Sequence, residues 1–240
     1  MSQFSVWFTN LVLIVSVYTA AGQNLTECKQ NDMACVEKNA NTLYQMIMSG
    51  DPERHVEPHE PLHHELIEGN LSILKYKFFN STFMGMNTCK ISNLNWNFQA
   101  SLIRFDVTCG NITMYGKYEI DGRLIILPIK GEGDYKIDTH GYKISVECEI
   151  DEIDGSDGNK HLHIHTYRLK ETPTAPIVFS LDNLFNGQKE MSDTLHKFAN
   201  DNWKEVAELV QDPVWYAHAK TLISVVNKYL KLRVINFFMI

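Results

Sequence analysis

The stretch "YGKYEIDGRLIILPIKGEGDYKI" occupies residues 115–137. It reads as two strand-like runs around Asp121-Gly122, a pair favoured at a type I′ hairpin turn. The same stretch holds Gly116, Gly131, Gly133 and Pro128, residues that weaken or bend strands. A hairpin patterned and interrupted in this way predicts a sheet that curves. Pro128 suits an edge or a bulge, and Gly131 and Gly133 are expected where the return strand bends most.

The flanking sequence continues the β pattern from about residue 71 to 180. "NLNWNFQ" sets Leu94, Trp96 and Phe98 against Asn93, Asn95 and Asn97, one dry face and one wet. "LIRFDVTC" puts Ile103, Phe105, Val107 and Cys109 on one side. After Gly110 the phase flips to Ile112, Met114, Tyr118 and Ile120, which reads as a β-bulge. "THG" at 139–141 reads as the next turn, and "YKISVECEID" alternates Tyr142, Ile144, Val146, Cys148 and Ile150 against polar residues. "KHLHIHTYRL" follows a "DGSDGN" turn. Together these predict a long antiparallel meander with one dry face.

Helical spacing appears at both ends. Val36, Ala40, Leu43 and Ile47 recur at threes and fours before a Ser-Gly stop, predicting an amphipathic helix. The following "DPERHVEPHEPLHHEL" reads as an extended connector. Near the C-terminus, Leu195, Phe198, Ala199, Val206, Leu209 and Val210 predict one helix of roughly 40 residues. Ser192-Asp193 is a candidate cap, and Pro213 is expected to break or kink the run. A one-sided sheet needs its dry face covered, and the C-terminal helix is the apolar element long enough to do so. The expected class is α+β, a highly curved antiparallel sheet around a long C-terminal helix.

Residues 1–22 read as a signal peptide: an apolar run over 5–21, then Ala20 and Gly22 at the −3 and −1 positions of a cleavage site. The remainder, 23–240, reads as a single domain of a secreted, extracellular protein. Sequons at Asn24, Asn70, Asn80 and Asn111 mark candidate glycans. In an oxidising compartment Cys28 and Cys35 are the natural disulfide pair. Of Cys89, Cys109 and Cys148, at least one stays a thiol, and each reads either as a small core residue or, for Cys109 and Cys148, as an inter-strand bridge. The formal charge of −7, with no block of Lys or Arg, argues against nucleic acid.

Two of these stretches, "GKYEIDGRLIILPIKGEGDYKI" and "LDNLFNGQKEMSDTLHKFANDNWKEV", with the Cys28/Cys35 pair and "EPL" at 60–62, resemble the insect takeout and juvenile-hormone-binding protein family. The resemblance covers nearly the whole mature chain. It implies the super-roll fold of lipid-transfer proteins related to bactericidal/permeability-increasing protein, with an elongated apolar cavity. It implies a carrier of a terpenoid, juvenile-hormone-like or fatty-acid-like ligand, monomeric and without stable membrane insertion. An extracellular defence or interaction protein engaging lipid surfaces is the alternative. The resemblance assigns no partner to Cys89, Cys109 or Cys148.

Periodicity does not separate a filled core from a lined cavity. The resemblance makes the dry-face set of Trp96, Phe98, Phe105, Met114, Tyr118, Ile144, Val146, Phe198 and Val206 the candidate ligand contacts. Met and aromatic side chains suit an adaptable apolar pocket. His161, His163 and His165 alternate along one strand and read as a polar outer face, and His55, His59, His63 and His64 fall in the connector, so no metal site is assigned. No nucleophile elbow, zinc-protease or P-loop pattern occurs, so no catalytic residue and no cofactor is assigned.

Overall fold

The computed structural model describes residues 25–29, 31–52 and 55–231. The expected signal peptide, sequon Asn24 and the terminal residues 232–240 lie outside the described residues. The element order is α1 (Met33–Ser49), β1 (Leu62–Asn70), β2 (Leu74–Met84), β3 (Lys90–Asn97), β4 (Leu102–Cys109), β5 (Ile112–Leu124), β6 (Leu127–Thr139), β7 (Tyr142–Asp154), β8 (Lys160–Pro173), β9 (Ile177–Leu181), α2 (Lys189–Asp201) and α3 (Trp203–Leu230).

The strands form two antiparallel ladders, β1-β2-β5-β6-β9 and β3-β4-β7-β8. Helix α3 touches β1 and β9 of the first and β8 of the second, so both ladders wrap the long helix. Four readings of the strands change. The phase flip at Gly110 is a change of sheet: β4 ends at Cys109 in the four-stranded ladder and β5 starts at Ile112 in the five-stranded one. An exchange of sheet swaps the buried face as a bulge does. The "THG" at 139–141 likewise carries the chain from β6 to β7 across the ladders rather than closing a hairpin.

Asp121-Gly122 is not the hairpin turn. β5 runs on to Leu124, where Leu124 faces Leu127, so Ile125 and Ile126 form the turn, while Asp121 pairs with Lys130 and Gly122 with Ile129. Gly122 has φ +138°, and a Cβ there would run into the Ile73 carbonyl of the neighbouring hairpin. Its lack of a side chain lets β2 come close. The proposed connector also ends earlier than read, because β1 begins at Leu62 and pairs with β2.

Gly131 and Gly133 keep regular register opposite Ile120 and Tyr118. A Cβ on Gly133 would lie 2.6 Å from the Asp182 carbonyl oxygen, and one on Gly131 would lie 3.0 Å from Leu184 Cα. These glycines admit the chain that crosses after β9. Pro128 pairs with Arg123 on β5 in a part of β6 that β9 does not reach, since β9 meets β6 only from Tyr135 to Thr139. A missing N–H is harmless at such an edge.

At the C-terminal end the break falls at Asn202, between α2 and α3, and not at Pro213, which lies inside α3. Asn202 (φ −110°, ψ 35°) is non-helical, and its Nδ2 donates to the Phe198 carbonyl at 2.8 Å. Pro213 removes the helical donor to the Leu209 carbonyl. The adjacent Val210 carbonyl accepts from the Tyr76 hydroxyl of β2 at 2.7 Å, tying the helix to the sheet there. Helix α2 starts after Gln188, so Ser192-Asp193 lies within it rather than capping it.

Cys28 and Cys35 are disulfide-bonded, joining the segment before α1 to its first turn. Cys89 bonds Cys109, and Cys148 is a buried free thiol. A Cys109–Cys148 bridge is ruled out by register. Cys109 faces Tyr142 and Cys148 faces Ile103, which separates them by six strand positions, about 20 Å at the usual rise.

Strand β3 is the last of its ladder. Helix α1 lies along it: Asn41 Nδ2 donates to the Ile91 carbonyl at 2.8 Å, its Oδ1 accepts from the Ile91 N–H at 2.9 Å, and Glu37 accepts from the Leu94 N–H at 3.0 Å. Asp32 accepts from the Cys35 N–H at the start of α1.

Candidate ligand cavity

The dry faces of β3, β4, β7 and β8 do not close fully on α1 and α3. An apolar hollow of about 250 Å³ remains between them. Alternate residues of β4 (Ile103, Phe105, Val107, Cys109) and of β7 (Ile144, Val146, Cys148, Ile150) form its floor. Val36, Ala40, Leu43, Tyr44 and Ile47 of α1 form a roof, and Trp215, His218, Leu222, Val226 and Leu230 of α3 form a side. Among the described residues the lining contains no Lys, Arg, Asp or Glu.

Of the candidate contacts, Trp96, Phe105, Ile144 and Val146 line this hollow. Phe98 stacks on Trp96 with ring centroids 4.6 Å apart but does not reach it. Met114 lines a second, smaller hollow of about 70 Å³ between the five-stranded ladder and α3. Tyr118 is core, with its hydroxyl donating to the Asp182 carbonyl at 2.6 Å. Val206 is buried and Phe198 half-buried, and neither lines either hollow.

The α1 and α3 walls are absent from the candidate set. The spacing of Val36, Ala40, Leu43 and Ile47 marked a buried helical face, and that face roofs the hollow. Trp215 lines both hollows and stands between them, with its ring centroid 4.9 Å from that of Tyr142. Tyr142 in turn donates to Gln211 Oε1 at 2.7 Å.

His218 is the exception in the wall. It is 2% exposed and packs between Phe83, Trp215 and His64, and neither ring nitrogen has a hydrogen-bond partner. Burial, with minor contributions from His64 and His59, pushes its pKa down to about 3, so the ring is neutral at physiological pH. A buried polar group left unpaired costs about 1–3 kcal/mol. Burial, and then His63, also lowers the pKa of His64. In the same wall burial pushes the Cys148 thiol up to about 12.

The strand histidines go to separate partners. His161 is buried with Nε2 2.9 Å from Asp157, rather than on an outer face; His163 meets Asn227 at 3.3 Å and His165 meets Asp151 at 3.3 Å. Among the described residues no group of three His, Cys, Asp or Glu is placed to hold a metal ion. Asn70, Asn80 and Asn111 are exposed. No described helix is long and apolar enough to cross a membrane.

A family model described as haemolymph juvenile hormone binding protein matches residues 8–240. The chain belongs to this family. Members of the juvenile hormone binding protein family bind small hydrophobic ligands. The circadian clock-controlled protein daywake of Drosophila melanogaster is 30% identical over 246 residues, covering 94% of this chain and 92% of the relative. Its Drosophila yakuba counterpart is 28% identical over 220 residues, covering 85% and 82%. The crystal structure of Epiphyas postvittana Takeout 1 superposes with a TM-score of 0.82 at 28% identity, covering 89% of this chain and 98% of that one. This family member therefore has the super-roll architecture, with the long helix wrapped by antiparallel sheet.

Proposed function

We propose that this protein is a secreted carrier that takes up a small hydrophobic ligand, terpenoid, juvenile-hormone-like or fatty-acid-like, in the hollow between α1, the four-stranded ladder and α3. The observation that carries the reading is the wall itself: strand faces and two helix faces of aliphatic and aromatic side chains, with no charged residue among the described ones. Burying a few hundred Å² of apolar ligand surface at about 25 cal/mol/Å² supplies several kcal/mol before the entropic costs of binding. No covalent step is required. Trp96, Phe105, Ile144 and Val146 are the proposed contacts from the strands, joined by Leu43 and Leu222 from the helices.

The two disulfides and the exposed sequons Asn70, Asn80 and Asn111 support an oxidising, extracellular setting, with residues 1–22 as the signal peptide. The test is organic extraction and mass spectrometry of protein purified natively from a secreting cell, followed by displacement of a hydrophobic fluorescent probe with terpenoids and fatty acids. Co-purified lipid and saturable displacement are expected. A protein that yields no lipid and holds no probe is not a carrier.

A further inference from the structure

The carrier reading leaves the ligand's polar end unassigned, and the following inference rests on that reading. Three polar side chains of the hollow's lining bear on it: Asn39, Tyr44 and His218. Asn39 is engaged with both backbone groups of Thr26, at 3.0 and 2.6 Å, and the Tyr44 hydroxyl donates to the Met86 carbonyl at 2.7 Å. Of the three, His218 is the one whose polar atoms, both ring nitrogens, are buried with no hydrogen-bond partner at all. His64 stands behind it, ring centroids 6.0 Å apart, with its own Nε2 unpaired.

We propose that His218, backed by His64, receives the hydroxyl group of an alcohol-ended hydrophobic ligand, and so makes the cavity selective for alcohols. A neutral imidazole offers one donor and one acceptor. A hydroxyl donates and accepts within one atom, so it can meet whichever His218 nitrogen, donor or acceptor, turns into the hollow. An ester carbonyl only accepts. A carboxylate would bring a charge into a wall whose described residues include no Lys or Arg, where desolvation opposes it. The His218 nitrogens are shielded from solvent, so engagement involves a turn of the imidazole against Trp215 and Phe83.

The test is displacement of phenylnaphthylamine from the full-length secreted protein by dodecanol, methyl dodecanoate, dodecanoate and dodecane at neutral pH. Dodecanol is expected to bind about fivefold to tenfold more tightly than dodecane or dodecanoate, the gain of one hydrogen bond. His218→Leu should bring dodecanol down to the level of dodecane measured on the same variant, so that the ratio of the two affinities, rather than either affinity alone, is the readout. His218→Gln, which keeps a donor and an acceptor, should restore part of the preference. The proposal is overturned if dodecanoate or the methyl ester matches dodecanol on the unmodified protein, or if His218→Leu retains the alcohol preference. Equal displacement by all four removes only this inference; displacement by none removes the carrier reading and this inference with it.

Discussion

His218 on α3 and His64 on β1 stand with ring centroids 6.0 Å apart and no hydrogen bond between them, the first imidazole buried and the second half-buried. The arrangement has a cost that appears only in acid. His218 has a folded pKa of about 3, below the usual 6.5, so below pH 6.5 the unfolded chain binds the proton and the folded chain does not. Stability therefore falls as pH drops from 6.5 towards 3. At about pH 4.5 the loss from this one group is about 2–3 kcal/mol. Urea midpoints of the unmodified protein and of His218→Leu, compared at neutral and acid pH, should show the smaller acid loss in the variant.

Gly133 faces the Asp182 carbonyl at a distance that leaves no room for a methyl group, because the blocking atom is backbone. Gly133→Ala should cost about 1–3 kcal/mol by overpacking. Gly110→Ala is the control: the nearest atom to its Cβ is the Thr88 hydroxyl at 3.7 Å, and the change should be nearly neutral. Thermal melts of the two variants decide the point.

The Cys89–Cys109 bond closes a span of 20 residues containing β3 and most of β4. Replacing both cysteines by Ser should lower unfolding free energy by about 3 kcal/mol on the loop-entropy estimate. The loss should appear as a lower urea midpoint.

Cys148 is buried in the hollow's wall with its pKa pushed up to about 12 by burial. A thiolate is the reactive form. A maleimide or dithiobis-nitrobenzoate reagent should therefore leave the native protein unmodified at neutral pH and titrate one thiol per chain in denaturant. Dodecane bound in the hollow should slow any residual labelling further.

Much of the hollow's floor was legible because strand alternation is a local signal. Ile103, Phe105, Val107 and Cys109 share a face in the sequence and share the floor in the fold. Which sheet each strand joins is a long-range matter. Cys109 and Ile112 show a phase flip whether a bulge or a change of ladder lies between them, so the local pattern is the same for both. Asp121-Gly122 misled for a related reason: Gly122 answers to the backbone of Ile73, more than forty positions away in the chain, and not to a turn. Val206 and Trp215 both carry helical apolar spacing, yet only the packing of two ladders around α3 puts one in solid core and the other beside space. The orphaned nitrogens of His218 were invisible for the same reason, since an unmet hydrogen bond is a statement about everything nearby.

Strand β3 ends its ladder, and an uncovered strand end-row is a template on which another chain can add. The Asn41 and Glu37 side chains occupy the Ile91 and Leu94 groups that such a strand would seek. Helix α1 is thus a guard against aggregation as well as a roof, and the Cys28–Cys35 bond at its start pins that guard in place. Under reducing conditions the first consequence to look for is fibril-like self-association of an otherwise folded protein.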